Sequence, residues 1–181
     1  MLEPIRGEQP SGVDLSGVWR MQDDFEAMER RIDRAIRQTD GVDERKLLRG
    51  MLGTTDTERV SRSRRRNRDV GGLVHVFLES AGTLRITQTN AGLFIAFDRS
   101  VVEEYRFGEA RGIQTGGASA QRVSGWDGED YVIETLDETG MKLTERYSMA
   151  GDDVLTREIT LRSAEMDSVS IVQTFTRRSG R

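Results

Sequence analysis

The chain has no cysteine and a single histidine, His75. The first absence excludes disulfides, thiolate nucleophiles and sulfur-ligated metals; the second rules out a multi-histidine metal site within one chain. No metal and no cofactor is therefore expected. No apolar run approaches the length of a bilayer span. The opening Met1-Leu2-Glu3-Pro4-Ile5-Arg6 has no apolar targeting core. A complete chain of this kind is expected in the cytoplasm, whereas removal of a signal would make a periplasmic or secreted protein look the same. Apolar residues are also scarce, at 35% of 181 residues, against 32% charged. A barrel around a partly wet interior tolerates that balance, and so does a small core with disordered flanks. The length suits one domain.

The net charge of −4 hides an asymmetry. Arg59, Arg62, Arg64, Arg65, Arg66 and Arg68 place six positive charges in ten residues without an acid among them. Subtracting those six charges from −4 leaves the rest of the chain near −10. An acidic body repels phosphates, and no aromatic side chain is interleaved for base stacking, so no specific nucleic-acid partner is expected. Residues 54–70 read as a solvated loop. Contact of Arg59–Arg68 with an anionic membrane or an acidic protein stays open.

Residues 1–13 hold both prolines and read as a flexible polar lead. A short strand over 14–20 carries Trp19. Phe25, Met28, Ile32, Ala35 and Ile36 then recur at helical steps, predicting a helix over 23–38 with Asp23 and Asp24 at its start. Leu47, Leu48 and Met51 suggest a second helix over 43–51. Neither is long enough to stand alone, and a lid over an open barrel end is the economical placement. Phe25, Met28, Ile32 and Ile36 are its lid residues.

From residue 72 the period changes to two. Strands are predicted over 73–79, 84–89, 93–98, 101–107, 118–126, 130–136, 141–149, 154–162 and 169–177, with a further short one over 111–115. Tight turns fall at Asp127-Gly128, Thr139-Gly140 and Gly151-Asp152. The glycine-rich 112–117 has no lysine and no following helix, so it is a turn and not a phosphate loop. No α/β alternation follows residue 70. The expected fold is all-β: a single antiparallel up-and-down barrel of roughly eight to ten strands, with a helix pair inserted over 23–52 after the first strand. The barrel spans 14–178.

Gly17-Val18-Trp19 resembles the Gly-x-Trp of the first strand in calycins, the lipocalin and fatty-acid-binding barrels. The resemblance implies that Trp19 closes one end and that a cation from the last strand, Arg177 or Arg178, packs across it. The insertion over 23–52 is similar to the helix–turn–helix of the fatty-acid-binding subgroup. Small bacterial barrels that guide cyclisation share this general shape, which keeps an enzyme reading open.

Strand alternation assigns faces. Glu145 falls with Met141, Leu143, Tyr147 and Met149. Arg157 falls with Leu155, Ile159 and Leu161. Gln173 falls with Val169, Ile171 and Phe175, and Gln88 with Leu84 and Ile86. A buried charge without a partner is too costly, so Glu145 and Arg157 are expected to pair, across or diagonally between adjacent strands. That pair is either an anchor for a ligand carbonyl or carboxylate, or an internal bridge that satisfies the lumen. Tyr105 and Tyr147 are candidate lumen hydroxyls, or simply barrel packing. Parity does not decide the direction of His75; facing the lumen, it would serve as a base or donor. The leading functional reading is noncatalytic binding of a small, mostly apolar or amphipathic molecule in the barrel. A metal-free isomerase or cyclase in the same cavity is the alternative, and a structural barrel without a ligand the third.

Overall fold

Alternation of period two gives each strand one face for an interior and one for water, and ten such strands leave few edges once they curl around. The computed structural model describes residues 1–39, 77–98, 101–115, 117–163 and 168–178. Its strands are β1 (Gly17–Met21), β2 (Thr83–Gln88), β3 (Gly92–Phe97), β4 (Val101–Arg106) and β5 (Glu109–Thr115), followed by β6 (Ala118–Asp127), β7 (Asp130–Asp137), β8 (Lys142–Gly151), β9 (Val154–Arg162) and β10 (Val169–Arg177). All neighbouring pairs are antiparallel, in the order β4-β3-β2-β1-β10-β9-β8-β7-β6-β5. The result is a single up-and-down barrel of ten strands with one described helix after the first strand. First and last strands are zipped together by Trp19 opposite Arg177 and Met21 opposite Phe175.

Helix α1 (Phe25–Thr39) starts where expected. Asp24 caps it: its carboxylate accepts from the Ala27 amide at 2.8 Å, and its carbonyl accepts from the Met28 amide at 2.9 Å. The preceding Asp23 accepts from the Thr174 amide, tying the helix entry to β10. Met28, Ile32 and Ala35 are buried in the same core as Leu84, Phe97 and Phe175, with Phe25 and Ile36 packed at its margin. The expected lid stripe therefore faces apolar barrel residues. The second expected helix, the Arg-rich segment and His75 lie outside the described residues.

Two expectations need correction. The strand predicted over 73–79 is not one where it is described: residues 77–81 are irregular. Their backbone finds other partners, because the carbonyls of Phe77 and Glu79 accept from the buried guanidiniums of Arg122 and Arg157. A ladder is unnecessary when side chains satisfy the same groups. The short strand predicted over 111–115 starts earlier, at Glu109, and pairs with β6 throughout.

Within the polar segment 1–13, residues 2–7 lie along β6. Leu2 exchanges two hydrogen bonds with the Gln121 amide side chain. Gly7 bridges Trp126, and the Ile5 carbonyl packs on Gly125. A Cβ at Gly125 would overlap that carbonyl. Close backbone approach, not a turn, is what glycine supplies there.

Candidate functional site

Along β8 and β9 the buried positions alternate strictly, which brings Glu145 and Arg157 inside. Tyr147 stands opposite Arg157 in the register, and Glu145 stands opposite Ile159. The two charges thus meet on the diagonal. Arg157 Nε donates to Glu145 Oε2 at 2.9 Å, and Nη2 donates to the same oxygen. Nη1 donates to Gln173 Oε1 at 3.2 Å, and Nη2 also reaches the Glu79 carbonyl at 2.9 Å. The Tyr147 hydroxyl donates to Glu145 Oε2 at 3.1 Å. Phe97 and Tyr147 rings flank the guanidinium, their centroids 5.3 and 5.7 Å away.

Arg157, Gln173 and Tyr147 are each 0% exposed and Glu145 1%. Burial by itself weakens the hold of Arg157 on its proton, but Glu145 and the neighbouring tyrosines outweigh it and keep the guanidinium charged. Desolvation pushes the Tyr147 hydroxyl well above its ordinary range. Tyr105 is raised for the same first cause, with Glu145 adding to it. Neither phenol is set up to ionise near neutral pH. Gln173 Nε2 has no hydrogen-bond partner among the described residues.

A second cluster sits where the ladder stops. Strands β4 and β5 are consecutive, yet they are the two ends of the sheet order. Side chains cross this seam instead. Arg111 Nη2 donates to the Glu104 carbonyl at 2.6 Å, Tyr131 Oη to the Tyr105 carbonyl at 3.2 Å, and Ser124 Oγ to the Arg106 carbonyl at 2.8 Å. Arg122, 4% exposed, is wedged inside. It donates through Nε to Thr135 Oγ1 (3.0 Å), through Nη1 to Glu103 Oε2 (3.1 Å) and through Nη2 to the Phe77 carbonyl (3.3 Å). At one end of the seam, Phe107 packs edge-on against Trp126 and Tyr131.

A cavity of about 260 Å³ opens at the seam. Phe77 and Ile113 are its apolar wall, Glu79, Glu103, Arg111 and Arg122 supply charge, and Gln114 and Thr115 complete it. The Glu79 carboxyl is raised above the usual glutamate range, first by burial and then by the neighbouring Glu103 charge. Among the described residues, no group of three or more His, Cys, Asp or Glu side chains is arranged to hold a metal ion.

No protein-family model matches the chain, and neither does any curated protein. Solved structures do resemble it. A secretory abundant heat soluble (SAHS) protein from Ramazzottius varieornatus aligns with a TM-score of 0.51 at 12% identity, covering 94% of this chain and 100% of that one. Secretory abundant heat soluble protein 4 from the same organism aligns at 0.52 and 13% identity, over 95% and 100%. The chain shares the barrel architecture of these proteins. At such identities the likeness is one of fold.

The residues singled out from sequence separate into groups. Glu145, Tyr147, Arg157 and Gln173 meet at one point in the interior. Tyr105 is buried with its ring 5.5 Å from the Arg122 guanidinium, on the seam side. Gln88 belongs to neither cluster: it accepts from the Leu15 amide and donates to the Val13 carbonyl, clamping the chain before β1. Arg177 lies over Trp19, 4.4 Å from the ring centroid, while Arg178 is exposed. Glu79, Arg111 and Arg122 escaped the sequence reading. A signal for Arg122 was present: Ala120 and Ser124 flank it on its own face of β6, and two small side chains leave room for a long one.

Proposed function

We propose that this chain is a noncatalytic binder of a small amphipathic molecule, held at the β4–β5 seam. One observation carries the reading: a cavity walled by both apolar and charged side chains opens where the barrel has no backbone ladder. Ligand sites favour such concave places, with a few polar groups to fix orientation. Its size sits just under the usual range of about 300–1,000 Å³, which favours a compact ligand. Membership of the calycin group is proposed with it, supported by Trp19 beneath Arg177.

A second reading has its own support. Around Arg157, Glu145, Tyr147 and the Gln173 carbonyl oxygen turn their polar groups on one another, as a structural barrel with a filled lumen would. Native mass spectrometry of gently purified protein, followed by extraction of any released molecule, separates the two. Binding at the seam predicts a stoichiometric adduct that Ile113→Trp, which fills the cavity, abolishes without unfolding the chain. A clean apo mass with no ligand recovered favours the filled structural barrel.

A further inference from the structure

We propose that the seam cavity receives a small zwitterion, its ammonium held by Glu79 and its carboxylate by Arg111. The proposal rests on the seam-binding reading and narrows it to one ligand class.

Four charged side chains border the cavity, and two of them cancel. Glu103 is paired with Arg122 at 3.1 Å, and each guanidinium nitrogen of Arg122 already has an acceptor. Glu79 and Arg111 remain. Among the described residues neither has an ion-pair partner within 4.0 Å, so they do not neutralise one another across the space. Arg111 makes one hydrogen bond there, to the neutral Glu104 carbonyl. Its remaining N–H groups suit a carboxylate, which a planar guanidinium recognises through paired hydrogen bonds.

Two opposite, unpaired charges on one cavity favour a ligand that carries both. A plain cation would satisfy Glu79 and leave Arg111 unmatched; a plain anion would do the reverse. The half-buried setting of both groups makes that difference larger than it would be in bulk water. Phe77 and Ile113 supply a small apolar contact. The volume admits a molecule the size of a free amino acid and excludes a long-chain lipid.

The test uses the full chain and three matched pools in saturation-transfer NMR. One pool holds the common free amino acids with 4-aminobutyrate, the second their primary amides, and the third the corresponding acids without the amine. A member of the first pool is expected to bind about tenfold or more tightly than its amide and its acid, the usual scale for one charge-assisted contact. Glu79→Gln should remove the preference over the acid, and Arg111→Gln the preference over the amide. Arg111→Lys should keep part of the latter while keeping the seam closed, and thermal melts of each variant establish that it folds. Absence of binding by the first pool, or binding of the amides or the acids as tight as that of the free amino acids, overturns the proposal. If a non-zwitterionic molecule is extracted and Ile113→Trp abolishes its binding, the zwitterion fails and the seam-binding reading stands. If no pool binds and no molecule is extracted, both fail.

Discussion

Glu145 and Arg157 meet although they are not register partners: each is offset by two residues from the other's opposite position, and the long guanidinium spans the diagonal. That geometry lets one carboxylate oxygen accept from Arg157 and from Tyr147 together. Removing one partner of a buried pair leaves an uncompensated charge, at a cost of about 3–5 kcal/mol. Arg157→Met is thus expected to lower unfolding stability by that order in urea. The double variant Arg157→Met with Glu145→Met should recover most of the loss, because no buried charge remains. A double variant no more stable than the single one would show that the interior needs the polar network itself.

Arg177 closes the other conspicuous contact. It stacks on Trp19 while its Nη1 and Nη2 donate to the Ser16 and Asp14 carbonyls. Gly17, at φ +147°, runs beneath it, and a Cβ there would stand 3.1 Å from Nη1. Arg177→Ala should cost about 1–3 kcal/mol, combining the stacking and the charge-assisted hydrogen bonds. Arg177→Lys should restore little of it, since an ammonium cannot reproduce the planar fork. Arg178→Ala is the control, expected within about 0.5 kcal/mol of the parent. Denaturant titrations of the three variants decide the ranking.

The N-terminal segment depends on the absence of a side chain at Gly125. Gly125→Val is expected to displace Ile5 and release residues 2–7 from β6. Hydrogen exchange should then show lost protection at the Leu2 amide, which donates to Gln121. Unchanged exchange there would mean that the segment tolerates a shift of its path.

Glu79 gives a pH dependence. Burial first, then Glu103 and Glu145, raise its carboxyl, while Arg157 and Arg122 pull the other way. A raised carboxyl holds its proton more tightly in the folded state. Its contribution to stability is therefore full below the ordinary glutamate range and is lost as pH rises through the higher folded value. Near neutral pH, Glu79→Gln should stabilise the unliganded protein. The gain is a few tenths of a kcal/mol, because the group is half exposed and screened. It should vanish in acid, where both side chains are neutral. Thermal melts at the two pH values check the sign, and a variant that binds less while melting higher would mark Glu79 as kept for ligand binding at a cost in stability.

How much of this was legible beforehand follows from what a local period encodes. Alternation along 141–149, 154–162 and 169–177 put Glu145, Arg157 and Gln173 on apolar faces, because a pleat sends every second side chain inward. The helical stripe and the aspartates before it likewise set α1. Gly17, Trp19 and a terminal arginine were visible together as a motif. The sequence alone therefore determined the strand faces, the first helix and the all-β architecture. Only the tertiary structure decided which arginine stacks on Trp19, that Gln88 turns to the chain before β1, and that Phe77 and Glu79 give their carbonyls to buried guanidiniums. It also decided the seam. Sequence neighbours joined by a short turn are expected to pair, but β4 and β5 do not, and Arg122 of β6 reaches Glu103 of β4 through their side chains. Such a contact joins positions nineteen residues apart. It depends on how the sheet closes, which no local pattern records.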